Sequence, residues 1–139
     1  MSSNNFSFEL TTQDDRARLG KIITSRGIID TPAFMPVGTQ GTVKGVFPED
    51  IEKTNTQIIL GNTYHLLLRP GIDVLKKFKG LHNFMNWTKP LLTDSGGYQI
   101  MSLSKFNMID LKLGAIFKSH IDGKKIILSP EKSIQVQKI

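Results

Sequence analysis

Twice in this sequence an apolar run of strand length opens straight into a turn of small residues. Gln57 to Leu60 ends at Gly61-Asn62 and is followed by helically spaced Leu66, Leu67, Leu68, Ile72, Leu75 and Phe78, broken at Pro70-Gly71. Pro90 to Thr93 repeats the pattern and opens into Asp94-Ser95-Gly96-Gly97-Tyr98-Gln99, which reads as a strand-end loop. Strand-then-helix units set strands parallel, because the helix returns the chain across the sheet. In parallel α/β folds the residues just past each strand form the ligand-binding rim.

The flanking segments read differently. Phe6 to Leu10 alternates apolar and polar residues, and Ala17 to Thr24 and Ile28 to Val37 read as extended around a turn at Ser25-Arg26-Gly27. A loop with glycines at 38, 41 and 45 follows, then a short helix from Pro48 with Glu49, Asp50 and Glu52 near its N-terminus. Ala115 to Ile121 and Lys124 to Leu128 alternate around Asp122-Gly123, which predicts a two-residue hairpin loop with positive φ at both positions. Ser129-Pro130-Glu131 starts a last helix, and Ile134 and Ile139 on it face no further element, so the fold is expected to continue past this sequence.

The expected fold class is therefore α/β: the N-terminal part of a TIM-type (β/α)8 barrel, incomplete in this chain, preceded by a small antiparallel sheet. Such barrels need about 250 residues. Residues 1–37 are assigned to the antiparallel sheet and 38–139 to the first barrel units with a β-hairpin insertion, all within one domain. A length of 139 residues with 39% apolar content suits one modest core and not two.

Composition narrows the chemistry. There is no cysteine, which excludes disulfides, thiolate nucleophiles and cysteine-ligated metal built from this chain alone. The longest apolar runs are triplets such as Ile58-Ile59-Leu60, and the start Met1-Ser2-Ser3-Asn4-Asn5 carries no leader pattern, so a cytoplasmic protein without membrane contact is expected. The net charge of +6 is concentrated C-terminally, with +2 over residues 1–100 and +4 over 101–139. It favours polyanions, although a scatter of lysines is more often a solvated surface. The Gly38–Gly45 stretch has neither phosphate-loop nor dinucleotide spacing. Ser104, Ser119 and Ser129 lack a nucleophile-elbow context, and His65, His82 and His120 lack metal-ligand spacing, so no metal site is assigned.

Asp94 is the first catalytic candidate, a carboxylate at the expected rim that can accept two N–H bonds from a guanine-like edge or move a proton. Ser95, Gly96 and Gly97 offer unobstructed backbone donors, and Tyr98 can stack on a flat ring. Asn62, after the preceding strand, can reach a sugar hydroxyl. The same residues also read as an ordinary turn, with Asp94 capping local amides, Tyr98 packed in the core and Asn62 capping its helix.

Five motifs, in order, carry a resemblance: Thr31-Pro32-Ala33-Phe34-Met35-Pro36-Val37-Gly38-Thr39, Ile59-Leu60-Gly61-Asn62-Thr63-Tyr64-His65-Leu66, Arg69-Pro70-Gly71, Thr93-Asp94-Ser95-Gly96-Gly97-Tyr98-Gln99 and Phe117-Lys118-Ser119-His120-Ile121-Asp122-Gly123. Together they strongly resemble the queuine tRNA-ribosyltransferase, or tRNA-guanine transglycosylase, family. The resemblance implies a (β/α) barrel that exchanges guanine at the tRNA anticodon wobble position for queuine or its 7-deazaguanine precursor, through a covalent enzyme-RNA intermediate. It implies that Asp94 is the proton acceptor that recognises the base, with Ser95, Gly96, Gly97 and Tyr98 completing the base site and Val37, Leu60 and Asn62 lining a ribose pocket. It also implies tRNA and a purine base as partners, a homodimer when full length, and a structural zinc.

The family's nucleophilic aspartate and its cysteine and histidine zinc ligands match nothing in this chain. The segment Phe106–Leu113 also departs from the charged stretch the family would place there. The isolated chain is therefore expected to be inactive, as one part of a base-exchange enzyme. The alternatives are a truncated remnant or a non-enzymatic fragment that binds a base or RNA.

Overall fold

The structure, a computed structural model, describes residues 6–103 and 108–139. Ser104, the opening Met1 to Asn5, and Phe106 and Asn107 lie outside the described residues. The described chain is a mixed α/β structure built on three small sheets.

The first sheet is antiparallel, with β1 (Ser7–Asp14), β2 (Ala17–Thr24) and β3 (Gly27–Thr31) side by side. Its register sets Phe8 opposite Ile22 and Ile22 opposite Ile29, and an irregularity between Leu10 and Thr12 shifts the pairing towards the turn. Residues directly opposite share a face, so these three make one apolar row, of which Ile29 is the buried member. Asp30 fastens this sheet to the next: its N–H donates to Gln57 Oε1 at 2.9 Å, and Gln57 Nε2 donates to Asp30 Oδ2 at 2.9 Å.

The extended reading of Ile28 to Val37 divides in two. β3 stops at Thr31, and Val37 belongs instead to β4 (Val37–Gly38) of a second sheet. Pro32 and Pro36 lie between them, and neither has an N–H to give to a ladder.

That second sheet is parallel throughout. After β4 come α1 (Pro48–Lys53), β5 (Ile59–Gly61), α2 (Thr63–Leu68), α3 (Ile72–Lys77), α4 (Leu81–Met85) and β6 (Leu91–Thr93). Val37 pairs with Leu60 and Leu60 with Leu92, while Gly38, Gly61 and Thr93 align one step further along. Ile59 points to the helix side, where Ile51, Leu66, Leu75, Leu81, Met85 and Trp87 form a core. The Trp87 indole N–H is satisfied by the Pro90 carbonyl at 3.1 Å. α4 was not anticipated. It follows Gly80, whose φ of +117° and whose missing Cβ, which would lie 2.7 Å from the Ile139 carbonyl oxygen, both demand glycine.

Beyond β6 the chain does not stay in a loop, because α5 (Gly97–Leu103) begins inside the Asp94–Gln99 hexapeptide. A third sheet, antiparallel, follows: β7 (Met108–Asp110), which the sequence reading did not anticipate, β8 (Gly114–Lys118) and β9 (Lys125–Leu128). The hairpin is present, but its turn is longer than two residues. Pairing ends at Lys118 opposite Lys125, and of Asp122 and Gly123 only Gly123 has positive φ. Ser119 organises the turn instead, its Oγ accepting from the N–H groups of Ile121 and Asp122.

The last helix, α6 (Pro130–Gln137), starts as expected, with the Ser129 hydroxyl accepting from the Lys132 N–H at 3.2 Å. Ile134 is exposed, but Ile139 is partly buried and packs on the parallel-sheet core, so only one of the two isoleucines lacks cover in this structure. Among the described residues no helix is long and apolar enough to cross a membrane.

Replacing Ile59, 1% exposed at the centre of the parallel sheet, with alanine is expected to destabilise the fold by about 2–5 kcal/mol. Ile134→Ala on the open face of α6 should change stability by less than about 0.5 kcal/mol. Denaturant unfolding of the two variants checks both.

Candidate functional site

The C-terminal ends of β5 and β6 meet at Asp94. Its backbone extends the parallel ladder, the Asp94 N–H donating to the Gly61 carbonyl at 3.2 Å. Its carboxylate is half-buried, and each oxygen accepts two hydrogen bonds. Oδ1 takes the Thr63 N–H at 2.9 Å and the Gly96 N–H at 3.0 Å. Oδ2 takes Asn62 Nδ2 at 2.7 Å and Gln99 Nε2 at 3.0 Å. The Thr63 hydroxyl closes the arrangement by donating to the Asp94 carbonyl at 2.5 Å.

This carboxylate serves the N-termini of two helices at once. Asn62, the residue preceding α2, makes no side-chain cap of its own, and Oδ1 reaches across from β6 to take the first amide of α2 instead. The same oxygen takes the N–H of Gly96, just before α5. An anion at the positive ends of two helices is electrostatically favourable. Local capping by Asp94 is thus part of the structure, but it joins separate elements rather than closing one turn.

The other candidates are placed as follows. Ser95 Oγ accepts from the Gly97 N–H at 3.2 Å, and the Ser95 carbonyl accepts from the Ser133 hydroxyl of α6 at 2.8 Å. Gly96 is buried with φ +79°, and a Cβ there would stand 3.0 Å from the Tyr64 nitrogen, so the loop lies directly on α2. Tyr98 is 80% exposed in the first turn of α5, which excludes the reading that packs it in the core. Asn62 is buried against Asp94. Val37 and Leu60 lie one residue before the strand ends on the sheet face away from Ile59, beside Leu92, and Val37 and Leu92 are 48% and 39% exposed. The structure thus gathers Asn62, Asp94, Ser95, Gly96 and Gly97 into one rim. Tyr98 projects from its edge, and Val37 and Leu60 lie on the open face below.

The sequence reading did not single out Thr63 and Gln99. Both were visible in the quoted motifs, and what would have marked them is their position in the first turn of a helix beside a carboxylate. A ring cluster was missed as well. Tyr64, wholly buried, packs on Phe117 of the hairpin, and its hydroxyl lies 3.2 Å from His120 Nδ1. His65 meets the edges of both Tyr64 and His120. Burial, then the neighbouring His120 and Lys44, hold the His65 pKa below its ordinary value against the opposing pull of Asp94. Burial raises that of Tyr64.

The zinc implied by the resemblance does not fit these residues. The chain has no cysteine, and among the described residues no three metal-binding side chains are grouped.

The carboxylate, exposed backbone and aromatic ring lie at the C-terminal ends of parallel strands, the rim where α/β folds place their ligand sites. The sequence model of the family described as Queuine tRNA-ribosyltransferase matches residues 14–139, and the chain belongs to that family. It is 55% identical over 132 residues to the queuine tRNA-ribosyltransferase of Natranaerobius thermophilus, covering 95% of this chain and 35% of the relative. The queuine tRNA-ribosyltransferase of Cereibacter sphaeroides is 56% identical over 134 residues, with 96% and 35% covered, and that of Pseudoalteromonas translucida 53% over 131 residues, with 94% and 35% covered. The chain spans about a third of the length of the curated relatives it matches.

Two outcomes are expected from this geometry. Gly96→Ala should destabilise the fold by more than about 1 kcal/mol in denaturant unfolding, because it combines a left-handed φ with a contact on the α2 backbone. His65 is held neutral on folding, so the unfolded chain binds its proton first. The resulting stability is fully present above about pH 6.5 and lost as pH falls through the lower folded value. His65→Gln should flatten the stability-against-pH curve on the acid side of pH 6.5, leaving the similar contribution of His82, also held neutral by burial and by Arg26.

Proposed function

We propose that this chain forms the base-recognition part of a tRNA-guanine transglycosylase, which exchanges guanine at the tRNA wobble position for queuine or its 7-deazaguanine precursor. The observation that carries the reading is Asp94 itself. It is an acceptor-only carboxylate fixed at the strand rim between two helix N-termini, with the Gly96-Gly97 backbone and the exposed Tyr98 ring beside it. A purine with N1–H and a 2-amino group presents two donors in a plane to such a carboxylate. Tyr98 supplies a stacking face, a contact worth about 1–3 kcal/mol per base.

In this reading β4, β5 and β6 are the first strands of a (β/α)8 barrel. The apolar face of Val37, Leu60 and Leu92 is its interior, which such barrels fill with branched residues, and its upper edge beside Asn62 receives the ribose. Asp94 has about four lone-pair positions and four protein donors, so a base N–H reaches it by replacing one of them. The side-chain amides of Asn62 and Gln99 are the partners that turn away without moving backbone. Asp94 then takes or returns the proton that the exchanged base loses or gains. The covalent attack on the ribose belongs to an aspartate outside this chain, and the structural zinc likewise. The working unit is a homodimer of the complete protein in the cytoplasm.

Incorporation of radiolabelled guanine into unmodified tRNA tests the reading, using the 139-residue chain alone and the chain joined to the C-terminal two thirds of the Natranaerobius relative. The joined protein should exchange guanine, and Asp94→Asn should lower its rate by about 10²–10⁴-fold. The chain alone should be inactive. Undiminished exchange in Asp94→Asn, or exchange by the chain alone, would overturn it.

A further inference from the structure

Gln99 stands in the first turn of α5, five residues beyond Asp94, and gives its Nε2–H to Asp94 Oδ2 at 3.0 Å. An ionised carboxylate has no proton to offer, so chemistry fixes which way this amide faces: the NH2 end must meet Oδ2. The consequence is visible at the other end of the side chain. Gln99 Oε1 is buried with no hydrogen-bond partner among the described residues. An unpaired buried carbonyl works against folding, and such a group in a native structure needs a reason. Serving Gln99 alone, the amide would place its oxygen where a donor or water could reach it. It is oriented for Asp94.

We propose that Gln99 is a positioning residue for Asp94, its amide holding Oδ2 as an ionised, oriented acceptor before the base arrives. This rests on the reading of Asp94 as the base-recognising carboxylate and adds a residue to that site. The four donors on Asp94 are of two kinds. Two are backbone N–H groups that any sequence with this fold supplies, and the other two are the side-chain amides of Asn62 and Gln99. Of these two amides, Gln99 is the one whose second polar atom is buried and, among the described residues, unpaired. Of the ionisable groups around the rim, His65 on α2 faces Asp94, and His120 on the hairpin turn and Lys44 in the loop before α1 face His65. Gln99 is neutral, so replacing it with methionine leaves all of those charges as they are.

The test follows the Asp94 carboxyl carbon by NMR through a pH titration of the labelled chain carrying Gln99, Gln99→Met or Gln99→Glu. In Gln99→Met the Asp94 transition should move upward, because the lost N–H bond favoured the ionised form. In Gln99→Glu it should move further, because two carboxylates in contact share a proton. The acid limb of guanine exchange by the joined protein should move by the same amount in Gln99→Met. An unmoved transition in a folded Gln99→Met chain would make Gln99 a packing residue and overturn the proposal. If the methionine variant does not fold, the neutral Gln99→Leu takes its place, and an unmoved transition there overturns the proposal. The titration needs no turnover, so a failed exchange assay with a shifted Asp94 transition sinks the proposed function and leaves this proposal standing.

Discussion

The Asp94 carboxylate is the joint on which the described structure turns. Through four hydrogen bonds it connects the end of β6 to the last residue of the β5 turn, the first amide of α2, the loop before α5 and the first turn of α5. An asparagine there could answer both helix starts through one oxygen but would turn an NH2 group towards the amides of Asn62 and Gln99. Because both helices begin at the ends of neighbouring parallel strands, one anion answers both, and the strand-helix repeat in the sequence is what brings them within reach. The close seating of Gly96 on Tyr64 makes the same point sterically, since the loop carrying the carboxylate rests directly on the helix it caps.

From this joint outward the molecule divides by face. On one side of the parallel sheet Ile59 packs into helices α1 to α4 and Trp87, and α6 closes that side by placing Ile139 against the core. On the other side Val37, Leu60 and Leu92 form an apolar face with little over it. The relatives are almost three times as long as the matched part.

Much of this was legible in the sequence, for identifiable reasons. The strand-helix repeats were read correctly because apolar period and glycine punctuation agree there: β5 ends at Gly61 and β6 at Thr93. The capped start of α6 was legible because Ser129-Pro130-Glu131 states it three times over. The errors have equally local causes. The extension to Val37 ignored two prolines that cannot join a ladder. The Asp122-Gly123 signal promised a tight turn, whereas the Ser119 hydroxyl, gathering amides from inside a longer loop, set the geometry. The five-residue α4 is too short for periodicity to register, and the start of α5 inside the Asp94 hexapeptide depends on a capping bond that joins the strand end to the helix. The ring cluster of Tyr64, His65 and His120 was illegible because Tyr64 and His120 are 56 residues apart in the chain and meet only when the hairpin folds back onto α2.

The same hydrogen bonds also divide the chemistry. A carboxylate attacks through a lone pair, and each N–H that occupies one lowers its readiness to form a covalent bond. Asp94 has its acceptor positions filled and oriented, the condition of a group that recognises donors and handles protons rather than of one that attacks carbon. Base exchange through a covalent intermediate needs both kinds of carboxylate, held in different surroundings, because the features that fix one as an acceptor blunt it as a nucleophile. In the proposed reading, two helix N-termini and two side-chain amides around a single aspartate build the recognising partner.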